Sequence, residues 1–426
     1  MAQVQKTREQ KVREDRARVE AEGFWIYNDI PRAFEQAKST GKPMLVVLRC
    51  LPCEECVKLD DEVMDQDPIV RPLLEKFVCV RQVATNGLDL TLFQFDTDQS
   101  FAVFMLNADK TIYGRFGTRS HRTDWLGDVS LPGLAQALEG ALELHANYPA
   151  NQSALADKQG GPWEVDRPEL FPNLKEKYTD RLNYDGNVVQ SCIHCHQIGD
   201  ARREFYRQAN KPIPDKILFP TPHPKSIGLV LDPDQKATVK SVTPDSIAAR
   251  AGFQAGDTID TLNGQPLLSI ADVQWVLDQV APEGGTVAVS GAREQAPLKL
   301  TVTLPDGWRR SGDISWRVST WGLRRMALGG LVLEELPRDE RKQQKIAPDA
   351  MALRVKRVGQ YGPHATAKKA GFEEGDIITA FDGHDNLMTE SEVLIYGVTK
   401  RNVDDQVPVT ILRDGMSKEL IMPMQL

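Results

Sequence analysis

From Asn28 the apolar positions switch between the helical and the strand period. Asp29 is placed to cap a helix whose apolar face is Ala33, Phe34 and Ala37, and Gly41 is placed to end it. Pro43 to Leu48, closing on Arg49, is an unbroken apolar run, the pattern of a strand buried on both faces. Phe77 to Val83 predicts a second strand. Phe101 to Leu106, the turn Asn107–Lys110 and Thr111 to Phe116 predict a hairpin. A last helix carries Leu134, Leu138, Leu142 and His145 on one face. These elements predict an α/β domain over 28–148.

The flanks read differently. Residues 3–22, within a charged lead-in of 1–27, hold six basic and five acidic side chains. They show no apolar core and no small-residue cleavage site, so they predict a solvated helix and not a signal peptide. Pro, Gly, Asn and charge dominate 149–190, which marks a linker, and the span 149–222 then carries Cys192-Ile-His-Cys195-His196.

Behind it lies an internal repeat. Ala251-Gly-Phe-Gln-Ala-Gly-Asp257 returns as Ala370-Gly-Phe-Glu-Glu-Gly-Asp376, and Gly228-Leu-Val-Leu returns as Gly330-Leu-Val-Leu. Repeated segments in the same order mean two modules of one fold, over 223–305 and 328–426. The Trp-rich tract between them, 306–327, reads as inter-domain packing. The chain is predicted to be multidomain, α/β in front and α+β behind.

Charge and composition narrow the function. Lys and Arg total 52 against 60 acidic residues, a net charge of −8. That balance argues against nucleic acid, whose binding rests on clustered cations. No apolar run is long enough for a transmembrane helix. No G-x-S-x-G elbow, phosphate-binding loop or dinucleotide fingerprint occurs.

The chemistry concentrates in the cysteines. Cys50, Cys53 and Cys56 form a C-x-x-C-x-x-C run directly after the apolar strand, and Cys79 sits mid-strand as a small hydrophobe. Thiolates at that spacing suit dithiol redox chemistry, zinc, copper(I) or an iron–sulfur cluster. Cys192, Cys195 and His196 match the c-type haem attachment pattern, with His196 as the iron ligand. A zinc half-site or a plain redox or structural pair are the alternatives. For haem, His223, His145 and several methionines are the candidates for the second axial position, and none stands out. A covalent haem would place the chain in the periplasm or elsewhere outside the cytoplasm; without one, the missing signal peptide points to the cytoplasm.

The order βαβ…ββα and the stretch Ala33 to Val46, with C-x-x-C seven residues on, resemble bacterial thioredoxin-like domains of the disulfide-reductase type. The resemblance implies Cys53 as attacking thiolate, Cys56 as resolving partner, Cys50 as a modulator or replacement, and a thiol protein as redox partner. The sequence departs from that family at Pro52, Val47 and Ser100-Phe101, where a tryptophan, an acidic residue and a cis-proline are usual. The two repeats resemble bacterial PDZ domains of the kind attached to periplasmic proteases. That resemblance implies a φ-G-φ loop, Ile227-Gly228-Leu229, holding the carboxylate of a protein or peptide C-terminus, with Gly329-Gly330-Leu331 as its weaker counterpart. It also implies groove helices containing Val273, Val276 and Leu277, and Val393 and Leu394. The whole string is similar to the bacterial thioredoxin-like/PDZ (seleno)protein family, including the C-x-x-C-H-Q-x-G-(D/E)-A match at Cys192 to Ala201. The expected function is a thiol–disulfide oxidoreductase acting on PDZ-selected clients. The alternative is a non-catalytic PDZ adaptor whose cysteines hold metal or haem.

Overall fold

The computed structural model describes residues 6–49, 67–119 and 128–426. They divide into two compact units: 1–198 with 219–312, and 199–218 with 313–426. None of their helices is long and apolar enough to cross a membrane.

The front domain begins with α1 (Arg8–Glu22), β1 (Ile26–Tyr27), α2 (Ile30–Thr40) and β2 (Met44–Arg49). It continues with α3 (Val70–Leu74), β3 (Val78–Gln82), β4 (Gln99–Leu106), β5 (Ile112–Arg119) and α4 (Leu131–Ala146). The sheet order is β1-β3-β2-β4-β5. β2 runs parallel to β3 and antiparallel to β4. All six β2 residues are buried. Leu45 and Val47 join a core with Val103, Met105, Leu134 and Leu138, while the alternate residues Met44, Val46 and Leu48 are buried on the other face. The unbroken apolar run thus reports a strand covered from both sides. Asp29 accepts the Arg32 N–H at the start of α2, and Gly41 ends it in the left-handed region at φ 69°.

Two segments read as solvated or linking are docked instead. Helix α1 starts with a capping box between Thr7 and Gln10 and buries Val12, Asp15 and Val19. Asp15 meets Arg81 of β3 at 2.6 Å, both almost wholly buried. The spacing of those three residues marks one stripe, which the average polarity of the helix concealed. Within 149–191 the chain makes short helical turns at Gln152–Leu155, Ala156–Lys158, Pro168–Leu170, Pro172–Lys175 and Val189–Ser191. Leu155, Lys158, Phe171, Leu174 and Val188 are buried. The segment is held by hydrogen bonds such as Leu90 N–H to Asp166 C=O and Gln94 Nε2 to Gly161 C=O. Those bonds have no sequence period, so composition alone suggested a linker. Helix α5 (Cys195–Gln208) follows, and the division between the two units falls within it.

The first repeat contains β6 (Leu229–Leu231), β7 (Val239–Val242), α6 (Ile247–Ala251), β8 (Thr258–Leu262), β9 (Gln265–Pro266), α7 (Ile270–Gln279), β10 (Gly285–Arg293) and β11 (Ala296–Leu304). From Asp313 onward the second unit contains α8 (Thr320–Leu328), then β12 (Leu331–Glu335), β13 (Leu353–Val358), α9 (Thr366–Lys369), β14 (Ile377–Phe381), α10 (Glu390–Lys400), β15 (Gln406–Arg413) and β16 (Met416–Pro423). The two orders correspond from β6 and β12 onward, apart from the short β9 of the first and a helix, Arg338–Gln343, inserted between β12 and β13 of the second. Their chemistry corresponds too. Asp257 accepts the Gln254 N–H and a two-pronged contact from Arg293, at 2.7 and 2.8 Å. Asp376 accepts the Glu373 N–H and the same contact from Arg413, at 2.6 and 2.7 Å. Each arginine also donates to a glycine carbonyl, Gly252 or Gly371, whose φ of 92° or 94° only glycine adopts without strain. The Trp-rich tract does not work as one connector. Trp308 lies in the core of the first repeat, and Thr320 onward forms α8 of the second unit.

The first repeat is joined to the front domain through α7, whose residues from Ile270 to Asp278 are all buried. Lys158 and Asp272 meet at 3.0 Å with exposures of 1% and 0%. Burial pulls the Lys158 ammonium below its ordinary range, and the Asp272 charge opposes that shift. Asp272 also accepts the N–H groups of Arg115 and Leu268, and Trp275 Nε1 donates to Asp157 C=O.

The hydrogen bond from Arg293 holds the Asp257 carboxyl below the usual carboxylate range. Its stabilising contribution is therefore complete above the unfolded value of about 3.9 and is lost as pH falls through the lower folded value. Asp257→Asn should lower the unfolding free energy by about 2–3 kcal/mol at pH 7. Urea melts of variant and parent should converge below pH 3.

Candidate functional site

Cys50, Cys53 and Cys56 lie outside the described residues. The residue before them, Arg49, ends β2 and pairs with Phe101 of β4. The motif therefore leaves the carboxyl end of a strand between two neighbours, the position where open α/β sheets place their chemistry. Cys79 is buried in β3, its thiol donating to Leu74 C=O.

The second cysteine motif packs on the same domain. Ile193, between its cysteines, accepts both the N–H and the hydroxyl of Thr85 at 3.0 and 2.8 Å. The Ile193 N–H donates to Asn86 Oδ1 at 2.8 Å, and Asn86 Nδ2 donates to Ser191 and Thr179 carbonyls. Cys192 is 3% exposed, its thiol donating to Val188 C=O at 3.2 Å. Cys195 is half-buried and opens α5. Both are free thiols. Burial pushes Cys192 up to about 11 and Cys195 up to about 12. His194 is half-buried: burial, then the neighbouring His196, pulls it down to about 4. The two rings stack in parallel at 5.7 Å. Burial lowers His196 as well, against the charge of Asp98.

A covalently held haem needs both sulfurs and the histidine on one open face. Here Cys192 turns inward onto its own preceding turn, so the folded motif does not fit that group. The two histidine candidates for the second axial position are engaged elsewhere. His145 bonds Tyr113 Oη at 2.8 Å and Gly41 C=O at 2.9 Å, and His223 lies 3.3 Å from Asp128. Among the described residues no three His, Cys, Asp or Glu side chains converge as a metal-binding group.

The loop Ile227-Gly228-Leu229 leads from a single helical turn, Pro224–Ile227, into β6. Ile227 and Leu229 side chains are in the core. Gly228 has φ 81°, its N–H donates to Lys225 C=O, and Ser246 fills the place a side chain would need. The segment before the loop lies along α7: Thr221 N–H donates to Asp278, and Gln274 donates to Thr221 C=O. Val273, Val276 and Leu277 are buried. Arg309, which sequence reasoning missed, closes this end of α7 by bonding Asp278 and the carbonyls of Phe219 and Val280.

In the second unit, α8 covers the corresponding surface. The glycine pair Gly329-Gly330 follows it, and the Gly330 N–H donates to Arg324 C=O. Ala327 packs so closely on α10 that a Cβ at Gly397 would lie 2.6 Å from its own. Arg324 and Glu390 meet at 2.5 Å with 7% and 4% exposure, and Glu390 also accepts the Leu333 N–H of β12 at 2.8 Å. Val393 and Leu394 are buried in α10.

These elements define two known modules. Residues 25–108 match the thioredoxin-like family model, and residues 238–286 match the PDZ domain model. Among individual proteins, the chain is 28% identical over 188 residues to a probable periplasmic serine endoprotease DegP-like of Pseudomonas savastanoi pv. phaseolicola, covering 43% of this chain and 36% of that protein. It is 40% identical over 74 residues to the periplasmic pH-dependent serine endoprotease DegQ of Escherichia coli, covering 17% and 16%. The chain thus spans about a third or less of the length of these curated relatives. A solved serine endoprotease from Yersinia pestis shares 30% identity over 18% of this chain and 27% of that one, with a TM-score of 0.16. That score is too low to speak for a shared overall fold.

Because thiolate is the reactive form, alkylation of Cys195 by iodoacetamide should be slower than that of a free thiol at pH 7 and should climb steeply above pH 10. Peptide mass spectrometry should show Cys195 modified before Cys192, and Cys79 modified only on unfolding.

Proposed function

We propose that this protein is an extracytoplasmic thiol–disulfide oxidoreductase that draws its protein clients through PDZ modules. The observation that carries the reading is the placement of the cysteine run: Cys53 and Cys56 follow within seven residues of the end of a central parallel strand in a thioredoxin-like domain. An attacking Cys53 and a resolving Cys56 would reduce a client disulfide through a mixed disulfide, with Cys50 able to substitute for either. The periplasmic relatives support the compartment, and an oxidising compartment is where client disulfides persist. The inward-turned Cys192 favours reading the second motif as a dithiol over a haem site.

The PDZ match supports peptide docking, and the repeated Asp–Arg clasp supports reading 328–426 as a second PDZ module. The relatives are named as endoproteases, which favours a second reading in which the chain handles peptides without redox chemistry. The G-x-S-x-G elbow and the G-N-S-G-G-type serine segment do not occur in the sequence. Under either reading, the second module's groove carries α8. Arg324→Ala with Ala327→Asp should therefore release that helix and strengthen binding of a peptide with an apolar C-terminus at least tenfold by fluorescence polarisation, at some cost in stability.

For the oxidoreductase reading, Cys53→Ser should abolish insulin disulfide reduction by the full chain. Cys53 should also react with iodoacetamide well below the pKa of about 8.5 of a free thiol. An unchanged turnover in Cys53→Ser leaves the adaptor reading standing.

A further inference from the structure

We propose that α1 is a strap over the second cysteine pair: docked, it keeps Cys192 withdrawn from solvent, and lifting its amino-terminal half makes Cys192 and Cys195 available as a dithiol. The proposal rests on the reading of that pair as a dithiol, and it adds the control of its access.

Val188 is where the strap meets the cysteine. Its N–H donates to the Glu9 carboxylate of α1 at 3.1 Å, as does the N–H of Val189. Its carbonyl accepts the Cys192 thiol at 3.2 Å and the Ser191 hydroxyl at 2.8 Å. One residue is thus tied to α1 on its N–H side and to Cys192 on its C=O side. Around it, Val12 of α1 joins Val83 and Val188 in a small apolar cluster with Leu182, Tyr184 and Val189 packed against it. Arg13 donates to the carbonyls of Tyr184 and Gly186, and Arg16 lies over the Tyr184 ring at 4.3 Å. Glu9, Val12, Arg13 and Arg16 follow at i, i+3, i+4 and i+7, so a single face of α1 holds the segment that leads into Cys192.

The two halves of α1 are held differently. Asp15 and Val19 anchor the second half, one in the buried pair with Arg81 and the other in the main core of the domain. The first half rests on Val12 and on polar contacts from side chains that stay partly in water, with Glu9 32% and Arg13 42% exposed. Exposed polar contacts contribute little each, so this half lifts first. Beyond Cys192 the chain has a separate hold, the clasp of Thr85 and Asn86 on Ile193. Lifting the strap therefore frees the upstream side of Cys192 and leaves the motif in place. Burial, then the Glu9 charge, raises the Cys192 thiol. Both causes weaken as α1 lifts, so Cys192 gains thiolate as well as access.

Once exposed, the pair can reduce a disulfide, and glutathione disulfide serves as the probe. The Cys195 thiolate attacks one glutathione sulfur, forming a mixed disulfide and releasing one glutathione thiolate. Cys192 then loses its proton and attacks the Cys195 sulfur, closing Cys192–Cys195 and releasing the second glutathione. Two electrons and two protons pass from the pair to glutathione disulfide, which becomes two glutathione thiols.

The test compares the full chain with two variants. Glu9→Gln with Arg13→Ala removes the polar grip, and Val12→Asp opens the apolar cluster by a second route. Both cysteines lie on the tryptic peptide 182–202, so mass spectrometry reads alkylation and disulfide closure together. At pH 8, iodoacetamide should modify Cys192 at least tenfold faster in both variants, with Cys195 within twofold of the parent and Cys79 still protected. Glutathione disulfide should remove two hydrogens from the same peptide at least tenfold faster in the variants. An unchanged Cys192 rate in both variants, or Cys79 becoming reactive together with Cys192, would overturn the strap. Closure equally fast in parent and variants overturns it too and leaves the dithiol reading in place, whereas faster alkylation without closure removes the dithiol reading alone.

Discussion

The clasp of Thr85 and Asn86 on the Ile193 main chain is the constraint on which the site depends. It uses a hydroxyl, a side-chain amide and three main-chain groups, all from buried residues. Main-chain groups withdrawn from water must find partners, and here a short loop finds them on the front domain. The clasp ties the cysteine motif to the segment that follows β3. Helix α1 contributes as well, since Glu9 accepts the N–H groups of Val188 and Val189 just upstream.

The repeats show a second way of fixing loops. A buried aspartate gathers a turn N–H and an arginine that reaches back to a glycine carbonyl, and the device occurs twice with the same partners. In both repeats the segment before the glycine loop folds back over the helix beside β6 or β12. In the first it is an extended stretch around Thr221; in the second it is a full helix, α8. Glu390 marks the difference. It stands at the first position of α10, where α7 has Ile270, and its carboxylate accepts the Leu333 N–H of β12.

Much of this was legible in the sequence because it is local. The run ending at Arg49, the caps Asp29 and Gly41, the hairpin turn at Asn107 and the glycines of the repeats each report a neighbour a few residues away. What escaped was set at a distance. Arg293 and Arg413 stand 36 and 37 residues from their aspartates. Asp15 finds Arg81 across 66 residues, so α1 looked merely charged. Lys158 sits in a stretch with no period at all, and nothing nearby announces Asp272. The C-x-x-C-H pattern was plain, but which way Cys192 faces is decided by Thr85 and Asn86, far upstream.

The Lys158–Asp272 pair bears on how the chain can be divided. Each ion has lost its water and has the other in exchange, so cutting the molecule at the boundary suggested by its repeats would leave a bare carboxylate on one piece and a bare ammonium on the other. The PDZ module and the segment packed on the thioredoxin-like domain thus share one desolvated ion pair, although separate family models match the two modules.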